Sequence, residues 1–255
     1  MVKFRRLKWF AFILFIVLLL PLLYFLWVPD VSKLKNEKPP KTAFMEYRER
    51  EFKEKGKPYR VDQVWVSLST ISPYLIKAVL IAEDDKFWSH QGFDYEAIQK
   101  AIEKDVKARR FKFGGSTISQ QLARNLYLSP VKNPFRKIRE AIITWRMERV
   151  LPKKRILELY LNVVEWGEGI FGAEAASRHY YGKPSSELTL QEAARLASVL
   201  PNPRKYNPAG DQQYVLNRST LIYDMMIRRG IVVPEYEEIT EGAGSPLIEE
   251  FKPVF

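Results

Sequence analysis

Apolar residues recur along this chain mostly at the spacing of three and four positions that an α-helix brings to one face. Three such stripes stand out: Leu75, Ala78, Val79 and Ala82; Ile138, Ala141, Ile142 and Trp145; and Ile156, Leu159, Tyr160 and Val163. Ser72-Pro73, just before the first stripe, is typical of a helix start. Capping-box patterns begin at Thr117 and Thr189. No run of alternating strands and turns appears, so the pattern predicts a mainly α fold.

The longest apolar run lies near the N-terminus, where residues 9–28 are 20 uncharged and mostly apolar positions. At about 1.5 Å per helical residue, this run can cross a hydrocarbon core of ~30 Å. Basic residues precede it, which by the positive-inside rule places the N-terminus in the cytoplasm. A signal peptide would have a shorter apolar run and a small-residue cleavage site. We therefore expect an uncleaved, single-pass transmembrane anchor.

The same patterns divide the rest of the chain. A basic cytoplasmic tail at 1–8 precedes the anchor, and a charged, proline-rich juxtamembrane linker with one short helix follows it at 29–60. The catalytic domain is expected at 61–240. Residues 241–255, which contain glycine and proline, are expected to form an irregular tail.

The charge distribution points to a phosphate-bearing partner. The chain has 41 Lys and Arg against 30 Asp and Glu, and residues 96–155 alone contain 16 basic and 5 acidic residues. A local basic zone usually binds nucleic acid, anionic lipid or a phosphorylated substrate, although a solvated surface without a partner is the simpler alternative. The chain has no cysteine, which excludes disulfides and thiolate chemistry. Its two histidines cannot form a His-rich metal site.

An acidic pair, Glu83-Asp84, ends the first predicted helix. Glu83 lies at the edge of the apolar stripe, so partial burial, the negative helix end and the adjacent Asp84 should all raise its pKa. Such a carboxylate suits a general base, whereas a solvated acidic helix end is the alternative. Further along, Gly114-Gly115 opens a second helix, and backbone N–H groups at such a start predict an anion site.

A second carboxylate, Glu140, lies three residues after Lys137 and four after Arg136, so the three can share one helix face. An ordinary surface ion pair is the alternative and would contribute little. The functional interpretation rests on a surplus of nearby cations, which could hold a pyrophosphate. These cations are Arg139, Arg149, Lys153 and Lys154.

Several motif matches lack their required context. The G-x-G-x-x-G match at 167–172 follows a predicted helix rather than a strand, so dinucleotide binding is not expected. Two S-x-x-K matches lack the partner motifs of a penicillin-binding site. Nucleic acid is not an expected partner, because an exported domain would rarely meet it.

Five ordered blocks carry a resemblance to a known family. They are EDDKFWSHQGFD (83–94), GGSTISQQLARNL (114–126), RKIRE (136–140), KKRILELYLN (153–162) and EAARLASVLPNPRKYNP (192–208). Over about residues 60–230 the sequence closely resembles the peptidoglycan glycosyltransferases (family 51), and within them the monofunctional biosynthetic transglycosylases of bacteria.

The resemblance implies that lipid II, a disaccharide-pentapeptide on undecaprenyl pyrophosphate, is polymerised into β-1,4 glycan strands with inversion. Glu83 would be the catalytic base that deprotonates the acceptor 4-hydroxyl, and Glu140 would act at the donor side, where the pyrophosphate leaves. The residues implied to bind the substrate or shape the base's pocket are Asp84, Phe87, His90, Thr117, Gln120, Gln121, Arg124, Arg136, Lys137 and Arg149. A divalent cation, Mg or Mn, stays open as a cofactor.

The implied fold is a lysozyme-like head with a small membrane-associated jaw, which we expect near residues 95–113. The implied location is the bacterial inner membrane, with the catalytic domain on the periplasmic side. Membrane lipids, the growing glycan strand and other cell-wall synthesis and division proteins are the implied partners. Two positions depart from the family pattern: Arg124 stands where lysine is commoner, and Pro201 where some bifunctional relatives have lysine.

Two other functions stay open. A lysozyme or lytic transglycosylase would also use paired carboxylates in a cleft, but it would not need the surplus of cations. A catalytically inert scaffold of the wall-building machinery would not need Glu83 and Glu140.

Overall fold

The computed structural model describes residues 8–10, 12–13, 15–17, 19, 29–39, 41–108, 115–131 and 133–231. No helix within these ranges is both long and apolar enough to cross a bilayer. Most of the expected anchor at 9–28 lies outside them, as do residues 109–113 and the expected tail at 241–255. These features therefore stay predictions.

The described chain is mainly helical, as predicted. Its helices, in chain order, are α1 (Ala43–Glu54), α2 (Pro73–Glu83), α3 (Tyr95–Ala108), α4 (Ile118–Tyr127), α5 (Pro134–Val150), α6 (Lys153–Val163), α7 (Ala173–Tyr181), α8 (Leu190–Val199) and α9 (Gln213–Arg228). The strands are β1 (Asp62–Gln63), β2 (Glu165–Gly167) and β3 (Ile170–Phe171), and short 3-10 helices lie at Ser32–Lys35, Leu68–Thr70 and Ser185–Glu187.

One continuous core holds the helices together. Helix α2 packs against α8 and α9, and α4 packs against α5 and α6. The apolar stripes of these helices meet inside the core, where Leu75, Val79, Leu122 and Leu159 are fully buried. The backbone N–H of Ile118 donates to Asp84, the residue after α2, which places the C-terminal end of α2 beside the N-terminal end of α4.

The helix starts follow local sequence chemistry. Both predicted capping boxes are confirmed, because Thr117 and Thr189 each accept a hydrogen bond from the backbone N–H three residues on, and the side chain at that position bonds back. Ser72 precedes α2 as predicted, but its hydroxyl does not cap the helix. It donates instead to the carbonyl of Leu188 (3.0 Å), which ties α2 to the chain before α8.

A small sheet was not predicted. Its strand order is β1-β3-β2, with β1 parallel to β3 and β2 antiparallel to β3. Strands of two or three residues are too short to show the alternation by which strands are recognised in a sequence. The G-x-G-x-x-G match lies in the β2–β3 hairpin, so it does follow a strand. A side chain at its last glycine, Gly172 (φ 86°), would lie 2.7 Å from the carbonyl oxygen of Asn162.

The folded unit begins well before the boundary expected at residue 61. Val31, Leu34, Met45 and Phe52 are buried against the domain. Arg155, at the start of α6, donates to the backbone carbonyls of residues 34 and 37 (both 2.8 Å). The charge and proline content of residues 29–60 predicted a linker. These four apolar side chains of the segment are nevertheless buried, so the segment is folded onto the domain.

Helix α5 buries the face opposite to its apolar stripe, although the stripe predicted that its own face would be buried. Ile138 and Trp145 are 53% and 49% exposed. The buried face of this helix carries Glu140, Ile143 and Met147. Apolar periodicity identifies a helix, but when both faces carry apolar residues it does not decide which one is covered. The carboxylate of Glu140 is therefore inside the protein, and large apolar side chains are at its surface.

Candidate active site

Glu83 is the last residue of α2 and points between that helix and α4. Its side chain is 12% exposed. One carboxylate oxygen, Oε2, accepts a hydrogen bond from Gln121 Nε2 (2.9 Å). The other, Oε1, has no hydrogen-bond partner among the described residues, and the nearest cation, the Arg218 guanidinium, is 3.5 Å away. This oxygen is therefore available to accept a proton.

Burial raises the pKa of Glu83, as expected from the sequence. The hydrogen bond from Gln121 and the charges of Arg218 and Arg124 lower this pKa, and the adjacent Asp84 raises it slightly. Burial is the largest of these causes. Glu83 is thus a carboxylate whose proton affinity exceeds that of ordinary glutamate, which suits a general base.

Gln121 is itself held in place by a second hydrogen bond. Its Oε1 accepts a hydrogen bond from the hydroxyl of Tyr160 on α6 (3.1 Å) while its amide nitrogen donates to Glu83. Tyr160 is fully buried, and burial raises its pKa well above the usual value, so it remains a donor. This chain of bonds fixes the amide orientation of Gln121 and the position of the base.

Asp84 and His90 close the turn that follows α2. The Asp84 carboxylate lies 2.9 and 3.1 Å from His90 Nε2 and accepts from the backbone N–H of Ile118 (2.8 Å). His90 Nδ1 accepts from the N–H of Gly92 (3.0 Å), so the imidazole proton is on Nε2, directed at Asp84. Asp84 therefore joins the C-terminal end of α2 to the first residue of α4.

Part of the anion site predicted at the N-terminus of α4 is occupied by the protein's own side chains. Asp84 takes the N–H of Ile118, and the Thr117 hydroxyl takes that of Gln120. Gly115 lies against the backbone of α3, since a side chain there would be 3.1 Å from Ile98 Cα. Two of the backbone N–H groups at this helix start are therefore used within the protein, and binding of a substrate phosphate at the Gly-Gly turn stays a prediction.

Removing Asp84 should therefore destabilise the fold. Hydrogen bonds to a buried carboxylate each contribute about 1.5–3 kcal/mol, so Asp84→Ala should lower the free energy of unfolding by about 2 kcal/mol or more. The matched control is Asp85→Ala, because Asp85 is exposed and pairs only with Arg229 among its described contacts. Such a surface pair contributes about 0–1 kcal/mol. Equal urea-denaturation midpoints for the two variants would contradict the bridging role of Asp84.

Thr117 and Gln120 are buried in the capping box of α4. Thr117 also donates to the carbonyl of Gly92 (2.7 Å), which itself packs tightly on α5. A side-chain carbon at Gly92 (φ 92°) would lie 2.9 Å from Thr144 Cγ2. The structure gives both residues a role in placing α4 beside Glu83, and their contact with phosphates or sugars stays a prediction.

Phe87 packs inside the turn that follows α2. It is fully buried, with its ring edge-on to His90 at 6.2 Å between centroids. The ammonium of Lys153 lies 4.4 Å from the ring centroid and pairs with the Glu148 carboxylate (2.7 Å). Lys153, expected from the sequence to be part of a free cation surplus, is therefore held in a structural pair.

Glu140 is completely buried and carries two cations. Its Oε2 accepts from Arg136 (3.0 Å), and its Oε1 accepts from the ammonium of Lys137. Lys137 also donates to the hydroxyl of Ser116 (3.0 Å), in the segment before α4. The predicted sharing of one helix face is confirmed, and the carboxylate holds both cations in fixed positions.

Arg149 does not join this cluster. It follows Glu140 by nine positions, which at about 100° per residue places it on the opposite side of α5. Its guanidinium stacks on the exposed ring of Trp145 at 4.0 Å. The predicted contact of Arg149 with substrate has no support from this arrangement.

Two clefts lie near Glu83. The first, of about 200 Å³, is lined by residues 81–85, which include Glu83 and Asp84, by Asp94 and Ala97, and by residues 115–117. Since Ser116 receives a bond from Lys137, this cleft connects the candidate base with the Glu140 cluster. The second cleft, of about 190 Å³, is lined by Gln121, Arg124 and residues from α1, β2 and the loop after α8.

Some site residues were missed by sequence reasoning. Arg218 of α9 lies near the Glu83 carboxylate and donates to the carbonyl of Ala82 (3.2 Å). Arg48 of α1 forms a bidentate pair with the buried Glu165 of β2. Both arginines are distant in sequence from their partners, so no local motif indicates them. Among the described residues, no cluster of three His, Asp or Glu side chains could hold a metal ion.

Comparison with known proteins gives a consistent result. A family model described as Transglycosylase matches residues 49–227. A relative from Nitrosospira multiformis named "Biosynthetic peptidoglycan transglycosylase" is 43% identical over 229 residues, covering 89% of this chain and 99% of the relative. Relatives with the same name from Azoarcus sp. and Dechloromonas aromatica are each 50% identical, over 78% and 74% of this chain and 87% and 81% of their own lengths.

Proposed function

The chain belongs to the transglycosylase family, as a peptidoglycan glycosyltransferase, and we propose that it polymerises lipid II at the membrane surface. In this reaction the 4-hydroxyl of an acceptor sugar attacks C1 of the donor strand. The new C1–O bond forms as the bond to pyrophosphate breaks, and undecaprenyl pyrophosphate leaves. The observation that carries the proposal is the buried Glu83 carboxylate, which lines a cleft and has one oxygen that accepts no hydrogen bond from the described residues.

In the proposed reaction Glu83 Oε1 accepts the proton of the acceptor hydroxyl. Its raised pKa increases the driving force for this transfer, and Gln121 keeps the second carboxylate oxygen in place. Asp84, His90 and Phe87 do not need to touch the substrate for this role. They hold the turn that fixes Glu83 against α4.

The donor side of the proposed reaction is the Glu140 cluster. Negative charge accumulates on the departing pyrophosphate, and the ammonium of Lys137 at the edge of the cleft can stabilise it. Glu140 orients Lys137 and Arg136 by accepting from both. Arg124 lines the second cleft beside Gln121 and adds a further positive charge near Glu83.

The arrangement favours transfer over glycan cleavage. A lysozyme-like hydrolase needs a second carboxylate that can act on a water molecule or on the sugar. Glu140 is fully buried and its oxygens are engaged by two cations, so it is a poor candidate for that role. A leaving group with negative charge, by contrast, explains why cations are held there.

Purified protein incubated with lipid II tests the proposal directly. We expect a glycan polymer that is lost when moenomycin is added. The same protein incubated with preformed peptidoglycan should release no soluble fragments. Release of fragments without polymer formation would replace the proposed transfer by glycan cleavage.

The charge of Arg218 should set the lower pH limit of activity. Arg218 lowers the pKa of Glu83, so Arg218→Gln should raise that pKa further. A base must be deprotonated, so the acid limb of the pH–rate profile should move to higher pH, with the plateau at high pH changed less. The control is Arg228→Gln, on an exposed position of the same helix. An unchanged acid limb for Arg218→Gln would exclude the electrostatic role of Arg218.

Attachment to the bacterial inner membrane is part of the proposal. It is supported by the apolar run at 9–28 and by exposed apolar side chains on two helices, Tyr95 and Ile102 on α3 and Ile138 and Trp145 on α5. The α3 residues belong to the segment proposed as the membrane-associated jaw.

The anchor can be tested by fractionation. Because residues 9–28 are long enough to span and lack a processing site, the full-length protein should remain in membranes washed with high salt or carbonate and should keep its N-terminus. A mature protein that begins near residue 30, or one that salt releases, would contradict the anchor.

A further inference from the structure

The second cleft has a wall that comes from the juxtamembrane helix. Phe44 and Arg48 of α1 line it, opposite Gln121 and Arg124 of α4. Gln121 is the residue that bonds Glu83, so the α4 side of this cleft lies one side chain away from the candidate base. Residues 29–60 are therefore more than a connection to the membrane.

A buried ion pair holds the wall in position. Arg48 donates from Nε to both oxygens of Glu165 (3.2 Å each) and from one terminal nitrogen to Oε2 (2.9 Å). Glu165 is 5% exposed. Burial raises its pKa, and the hydrogen bonds and charge of Arg48 oppose this effect. A planar guanidinium bound by both edges fixes orientation as well as distance.

The same network reaches the other side of the cleft. Arg48 also donates to Glu51 (2.9 Å), and Glu51 accepts from Arg204 (3.1 Å) in the loop after α8. Arg204 lines the cleft as well. One set of charges thus sets the distance between α1, β2 and this loop.

Phe44 is the aromatic side chain of this cleft, whose other lining groups are mostly amides and charged residues. It is only partly buried, and the guanidinium of Arg48 lies 4.9 Å from its ring centroid. A cleft that combines one aromatic face with converging hydrogen-bonding groups matches a sugar, which has apolar C–H faces and a rim of hydroxyls.

We propose that Phe44 is a further substrate-contacting residue that packs against a sugar ring of lipid II or the growing strand, and that Arg48 is its positioning residue. This inference rests on the proposed function. It assigns part of the substrate site to the helix that follows the membrane segment.

Phe44→Ala should weaken substrate binding more than it slows the chemical step. An aromatic packing contact contributes roughly 0.5–1.5 kcal/mol, which corresponds to a rise of about two- to tenfold in KM. The turnover number should change less than about twofold, because the contact is made in both the ground state and the transition state. Arg50→Ala, on the exposed side of the same helix, is the matched control and should match the wild type.

Arg48→Ala should raise KM in the same way. Arg48→Lys should raise KM less than Arg48→Ala does but still above the wild-type value, because lysine keeps the charge but not the bidentate bond. Thermal melts identify variants that lose the fold. Binding of lipid II to Glu83→Gln, with and without Phe44→Ala, gives a readout that needs no turnover. A loss of affinity of about two- to tenfold supports the inference, and equal affinities overturn it. Failure of wild-type protein to make polymer, by contrast, contradicts the proposed function.

Discussion

Replacing Glu83 with glutamine should reduce polymerisation of lipid II by about 10²–10⁴-fold, the range that a positioned general base typically contributes. Glutamine has nearly the same size and can keep the contact with Gln121, but it cannot take the proton of the acceptor hydroxyl. Steady-state rates of glycan formation, measured beside lipid II binding, separate loss of chemistry from loss of substrate.

The stability of this variant provides the control. The pKa of Glu83 is higher in the folded protein than in the unfolded chain. Ionised Glu83 therefore lowers the free energy of unfolding at neutral pH. That cost is absent below the unfolded-state pKa, grows as the pH rises above it, and is complete once the pH has passed the folded-state pKa. A neutral glutamine removes it, so the melting temperature should be unchanged or higher. Polymerisation near the wild-type rate would exclude Glu83 as the base.

Lys137→Ala should be the second most damaging change, lowering turnover by about 10²–10³-fold, the loss seen when one group that stabilises developing charge is removed. Lys137 bonds both Glu140 and Ser116 and is half-exposed at the edge of the cleft, so it can meet the departing pyrophosphate. Its removal leaves Glu140 paired with Arg136. Turnover should therefore fall in a protein that still folds.

Two comparisons test this assignment. Lys154→Ala removes an exposed lysine of the same basic zone and should change the rate little. Glu140→Gln should also impair turnover, because it weakens the orientation of Lys137 and Arg136 together. If Lys137→Ala and Lys154→Ala have the same rate as wild type, Lys137 is a surface charge and the donor-side assignment fails.

The parts of the site that could be predicted are those encoded by nearby residues. Glu83 follows an apolar stripe on its own helix, and Lys137 and Glu140 are separated by one helical turn, so spacing alone places each set. The capping box at Thr117 depends on four consecutive positions and could likewise be read directly.

The parts that could not be predicted depend on contacts between distant segments. Arg218 reaches Glu83, and Arg48 reaches Glu165, only because tertiary packing brings together segments far apart in the chain. The Gly-Gly start of α4 predicted an anion site, but no local pattern indicated that Asp84 would accept from one of its N–H groups, that of Ile118. The exposed stripe of α5 shows the same limit, because periodicity does not choose which face a neighbouring helix covers.

The early start of the folded unit sets the length of the tether to the membrane. Val31 is fully buried in the domain core, so only residues 29 and 30 separate it from the end of the proposed span at residue 28. The three Cα–Cα steps from residue 28 to residue 31 reach at most about 11 Å. With the proposed anchor, a domain mounted so closely could not move out to a distant glycan, and its clefts would stay near one height above the bilayer. Lipid-linked substrate would arrive by lateral diffusion, and the finished part of the strand would have to move away from a stationary enzyme.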